Sequence, residues 1–92
     1  MKYVILNGAA ILDRKALYDA LEKHLGTPDY LGRNLDALND ILRGEILPAG
    51  ELTVEIMHAE ELRKNLGGYA DAFLDLLRDT EEDDPRLRVI LG

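Results

Sequence analysis

The chain has 92 residues, which leaves room for one domain with a modest core and excludes a second; at this length only roughly 60 to 65% of the extended chain's surface is buried on folding. Hydrophobic residues at 47% and charged residues at 32% exclude a disordered chain, and the lack of cysteine excludes a disulfide framework, a thiolate metal site and a cysteine nucleophile. Eighteen acidic against eleven basic residues give a formal charge of -7, a field that repels nucleic-acid phosphates and anionic membranes and speeds encounter with basic proteins.

Lys2 to Leu6 is a short apolar run suited to a strand, and Asn7-Gly8 supplies a turn. The run breaks at Asn7, well short of a signal-peptide core or a membrane span, so the expected compartment is the cytoplasm. From Asp13, a candidate cap, the period becomes helical: Leu17, Leu21 and Leu25 share a stripe with Ala16 and Ala20 beside it. Gly26 and Pro28 stop that helix. Asp29 to Arg33 reads as a loop, and Asn34 caps a second helix to about Arg43, with Leu35, Leu38 and Leu42 inward and Gly44 as its end.

Glu51 to Met57 alternates with the two-residue period of a strand. A short helix from about Ala59 to Asn65 follows, then Gly67-Gly68, then a last helix from Tyr69 to about Thr80 carrying Ala70, Phe73, Leu74 and Leu77 inward. The acidic stretch Glu81 to Asp84, with Pro85, reads as a solvated connector, and Leu87 to Leu91 as a final strand. The order β-α-α-β-α-α-β predicts an α/β fold for residues 1–92: a three-stranded parallel sheet flanked by about four helices, with right-handed crossovers.

Little in the chain suggests catalysis. His24 and His58 lack metal-ligand spacing, Gly67-Gly68 lacks the lysine of a phosphate loop, and serine is absent, so neither a triad nor a cofactor is expected. What stands out is carboxylates. Asp36 and Asp40 lie four residues apart on the second helix and project from the side opposite its leucines, with Asn39 and Arg43 extending the polar surface. Like charges at that spacing cost the helix a few tenths of a kcal/mol. The helix dipole offsets some of this for Asp36, in the first turn, but not for Asp40. This pattern leaves open a solvated face, a surface for a basic protein, and acid-base chemistry or a divalent-cation site, the last completed by Asp79 with the acidic run after it as in a metal-dependent enzyme.

The run Pro28-Asp29-Tyr30-Leu31-Gly32-Arg33-Asn34-Leu35-Asp36-Ala37-Leu38-Asn39-Asp40 resembles the signature of the barstar family, intracellular inhibitors of secreted ribonucleases, and the likeness extends over nearly the full chain. The resemblance implies the same three-stranded parallel sheet, with the second helix and the loop before it plugging the active site of a basic ribonuclease or related toxin nuclease. It assigns partner contacts to Tyr30 and Gly32 in the loop, Asp36 and Asp40 in the enzyme's cleft, and Asp79 as an outlying acidic contact. Asn34, Asn39 and Arg43 complete the expected surface. The best-known member has tryptophans where this chain has Asn39 and Glu45, and tryptophan is absent here. Arg33 and Arg43 also bring positive charge to the acidic face. The expectation is a cytoplasmic toxin-immunity protein, monomeric when free, with no enzyme activity, cofactor, membrane or direct nucleic-acid binding. The alternative is an acidic module for another basic protein, such as a nucleic-acid-binding regulator.

Overall fold

The computed structural model describes residues 2–26 and 33–92. Three strands, β1 (Lys2–Asn7), β2 (Leu52–Met57) and β3 (Leu87–Leu91), form a parallel sheet in the order β1-β2-β3. Their register aligns Val4 with Val54 and Val89, and Leu6 with Ile56 and Leu91, so inward-facing side chains make continuous apolar rows. The other face stays open: Tyr3, Ile5 and Ile90 are 40 to 50% exposed. All the helices therefore bury their apolar stripes against one side of the sheet.

Helix α1 (Arg14–Leu25) begins where the Asp13 carboxylate accepts the Ala16 amide and ends at Gly26, whose φ of 67 is the left-handed cap that glycine makes without steric cost. It delivers Leu17, Tyr18, Leu21 and Leu25 to the core. Tyr18 bonds through its hydroxyl to Tyr69, edge to face, and the Arg14 guanidinium lies 4.0 Å from the centre of the Tyr69 ring. Burial, then the Tyr69 hydroxyl, pushes the Tyr18 phenol above its ordinary pKa.

Helix α2 (Leu35–Ile41) starts at Asn34, whose side chain accepts the Ala37 amide at 2.8 Å. Gly44 does not end it. The chain continues through a π-helical turn (Leu42–Ile46) into α3 (Leu47–Ala49) and breaks at Gly50. The reason lies in Pro48, which has no N–H and whose ring would press on the carbonyl four residues back in a regular α-helix. The wider turn relieves that clash, and the Leu47 amide reaches the Leu42 carbonyl instead.

Helix α4 (Ala59–Leu66) enters from His58, which takes a left-handed φ of 56, and helix α5 (Gly68–Asp83) closes the core with Ala70, Phe73, Leu74 and Leu77. Here the sequence expectation needs a second correction, because the acidic stretch after Thr80 is helical and anchored. Glu81 accepts the Val89 amide at 2.7 Å, Asp83 meets Arg43, and the Asp84 carboxylate takes the Arg86 amide and guanidinium. With these partners in place α5 runs to Asp83, one residue short of the cap at Asp84.

Candidate functional site

Helix α2 buries Leu38 fully and leaves Asp36 and Asp40, two residues to either side, exposed. Among the described residues neither carboxylate has an ion-pair partner. The helical repeat explains the arrangement: residues four apart share a face, and the residue midway between them points nearly the opposite way. Packing Leu38 into the core thus forces both carboxylates outward.

Between α2 and α5 lies a groove of about 420 Å³, walled by Asp36, Asn39 and Arg43 on one side and by Asp75, Leu76 and Asp79 on the other. The fold therefore brings Asp79 to Asp36, some forty residues away in sequence, while Asp40 lies outside the groove walls. Asp75 had escaped notice in the sequence. Its signal was the spacing to Asp79, which puts both on one face of α5, but only the packing of α5 beside α2 gives that face a neighbour.

The two arginines on this side are committed internally. Arg43 donates from Nε to Asn39 Oδ1 at 2.8 Å, from Nη1 to Asp83 Oδ2 at 3.0 Å and from Nη2 to Thr80 Oγ1 at 3.3 Å. Thr80 is fully buried and spends its one hydroxyl proton on the Leu76 carbonyl, so its oxygen is the acceptor for Arg43. Arg33, just before the Asn34 cap, has a φ of 48 and donates from Nη2 to Asp19 Oδ1 and Glu22 Oε1, both at 2.8 Å. Hydrogen bonds from Lys15 and then Arg33 hold the Asp19 carboxyl below its ordinary pKa. Those from Asp19 and Glu22 raise that of Arg33. Both arginines are engaged by the chain's own groups, and among the described residues Asp36, Asp40, Asp75 and Asp79 form no ion pair.

Of the remaining residues expected at the site, Tyr30 and Gly32 lie outside the described residues. Asn34 is the cap of α2, and Asn39 is half-buried under Arg43. Among the described residues no group of three or more acidic or histidine side chains is gathered as a metal cage, and both histidines are exposed. No described helix is long and apolar enough to cross a membrane. A second groove, of about 450 Å³, opens on the bare side of the sheet beside Tyr3, Arg86 and Arg88. Its size is comparable, yet it lacks the paired carboxylates of α2.

Relatives of the chain are found among known proteins. The family model described as barstar (barnase inhibitor) matches residues 1–91. The chain is also 38% identical over 84 residues to a Bacillus subtilis (strain 168) protein named "Putative ribonuclease inhibitor YrdF", an alignment spanning 90% of this chain and 89% of that one.

Proposed function

The chain belongs to the barstar family, and from that premise we propose that it inhibits a basic ribonuclease by laying α2 and the loop before it across the enzyme's active site. The observation that carries the reading is that Asp36 and Asp40 are exposed and form no ion pair among the described residues. A ribonuclease binds its substrate's phosphate with arginine, lysine or histidine, and a carboxylate set rigidly at that place substitutes for the phosphate through charge-assisted hydrogen bonds. Asp40 takes the central role, since it gains least from the helix dipole. Asp36 and Asp79 meet the cations at the cleft's edge, and Asp75 adds to the same acidic wall. Tyr30, Gly32 and Asn34 supply the loop side of the contact, with Asn39 and Arg43 at its margin.

In this role the protein has no chemistry of its own and takes no cofactor. It acts as a single domain and a free monomer in the cytoplasm, protecting the cell from a nuclease toxin, and its charge keeps it off nucleic acid and membranes. The experiment is a titration of purified protein into barnase, named in the family's description, and into the basic ribonucleases encoded near its gene. Stoichiometric loss of activity at low salt is the expected result for at least one of them; full activity of every enzyme at large excess of the chain overturns the reading.

One observation favours a second reading. Large aromatic anchors dominate many protein interfaces, and the positions at which the family's best-known member carries tryptophan are Asn39 and Glu45 here. A basic partner other than a ribonuclease would fit that change. Capture from cell extract with the native chain and with Asp40→Ala separates the two by naming a partner whose retention depends on Asp40.

A further inference from the structure

Helix α2 opens a helical run that continues through the π-turn and α3 to Ala49, a length at which an isolated helix is marginal in water. Helix α2 itself fully buries a single side chain, Leu38. Its carboxylate Asp36 lines the groove with Asp75 and Asp79 of α5, three like charges whose counter-charge on the α2 side is Arg43. Leu42 and Leu47 anchor the run further on, so its α2 end is the part least held by buried side chains. Arg33 ties the approach to the helix to Asp19 and Glu22 on α1, and Arg43 ties its far end to Thr80 and Asp83 on α5.

We propose that Arg33 and Arg43 are positioning residues that suspend α2 between α1 and α5, so that Asp36 and Asp40 reach a partner already ordered. Neither arginine is the source of attraction, since each carries the sign that a basic partner repels. Their contribution is preorganisation: rigid groups lose less conformational freedom on binding than mobile ones. Arg43 is suited to this because its planar fork engages three acceptors at once, two of them on another helix. Arg33 adopts a backbone conformation that L residues rarely take, and in it reaches two carboxylates together. This role rests on the inhibitor reading of α2, but the ordering of α2 is a property of the free chain and is measurable without a partner.

Electrostatics and positioning predict opposite signs, which makes the test sharp. Neutralising an arginine makes the chain more negative, so attraction alone predicts faster association with a basic enzyme and tighter binding. Positioning predicts weaker binding despite the faster approach. The variants are Arg33→Met and Arg43→Met, which keep most of the aliphatic stem, and Arg43→Lys, which keeps the charge and loses the fork.

In the free protein, amide hydrogen exchange across α2 should quicken about ten-fold in each Met variant while β2 stays protected. Against barnase, or whichever ribonuclease the native chain inhibits, dissociation should quicken about ten-fold, more than association does, with Arg43→Lys in between. Unchanged exchange in α2, or tighter binding by both Met variants, overturns the proposal. Failure of the native chain to inhibit any ribonuclease defeats the inhibitor reading instead, and the exchange measurement still decides whether the clamps exist.

Discussion

Asp36 and Asp40 stand one helical turn apart on the solvent side of α2, with no cation of the described chain between them. A pair of like charges at this spacing opposes the helix that carries it by a few tenths of a kcal/mol. Asp40→Asn should therefore leave the thermal midpoint of the free protein unchanged or slightly raised. A calorimetric melt checks this, and a fall of several degrees would mean that Asp40 has a structural partner.

Screening supplies the next expectation. If carboxylates steer the encounter, the association rate with a basic partner should fall at least ten-fold between about 10 mM and 500 mM salt, because the Debye length shrinks from about 30 Å to a few ångströms over that range. Stopped-flow mixing at a series of salt concentrations measures it. Dissociation should change far less, since the groups already in contact are shielded from the solvent ions.

Gly8, just after β1, packs against the start of α4. A methyl group added there would run into the His58 backbone carbonyl and come within 2.9 Å of Leu62 Cβ, and backbone cannot swing aside as the end of a side chain can. Gly8→Ala should cost about 3 kcal/mol in urea unfolding, at the upper end of overpacking penalties. Gly44, around whose added Cβ nothing lies within 4 Å, provides the control, since Gly44→Ala meets no clash and should be neutral to stabilising.

Acid should loosen the corner between α5 and β3. Hydrogen bonds from the Arg86 side chain and amide hold the Asp84 carboxyl down to about 2. A carboxyl depressed in the folded state contributes stability above its unfolded pKa of about 4, and that contribution is lost as pH falls through the folded value. The native chain should lose stability more steeply between pH 4 and about 2 than Asp84→Asn does. Denaturant midpoints taken across that range compare the two slopes directly.

Much of the fold was legible because the repeats are clean. The alternation of Leu52, Val54 and Ile56 gave β2, and the Asp13 and Asn34 caps gave the starts of α1 and α2. The misreadings came where a local signal met a tertiary one. Gly44 is a helix stop by propensity, yet the helix passes through it, and Pro48 four residues later is accommodated by a wider turn. The run from Glu81 to Asp84 looked like a solvated tether, since nothing in the sequence shows that Val89, Arg43 and Arg86 lie beside it. At the site, the outward placement of Asp36 and Asp40 was readable from their spacing, while a role as partner contacts came from the family resemblance. The opposing wall of Asp75 and Asp79, and the diversion of Arg33 and Arg43 into internal ion pairs, depend on how helices pack.

The most direct test of the account is calorimetric titration of the inhibited ribonuclease with the native chain and with Asp40→Ala, at one salt concentration and with the fold of the variant verified. Removing a carboxylate that fills a phosphate site strips the enzyme's buried cations of their counter-charge, a loss of about 3 kcal/mol or roughly 100-fold in affinity. Affinity for the variant within two-fold of the native value would contradict the claim that α2 inhibits by occupying that site.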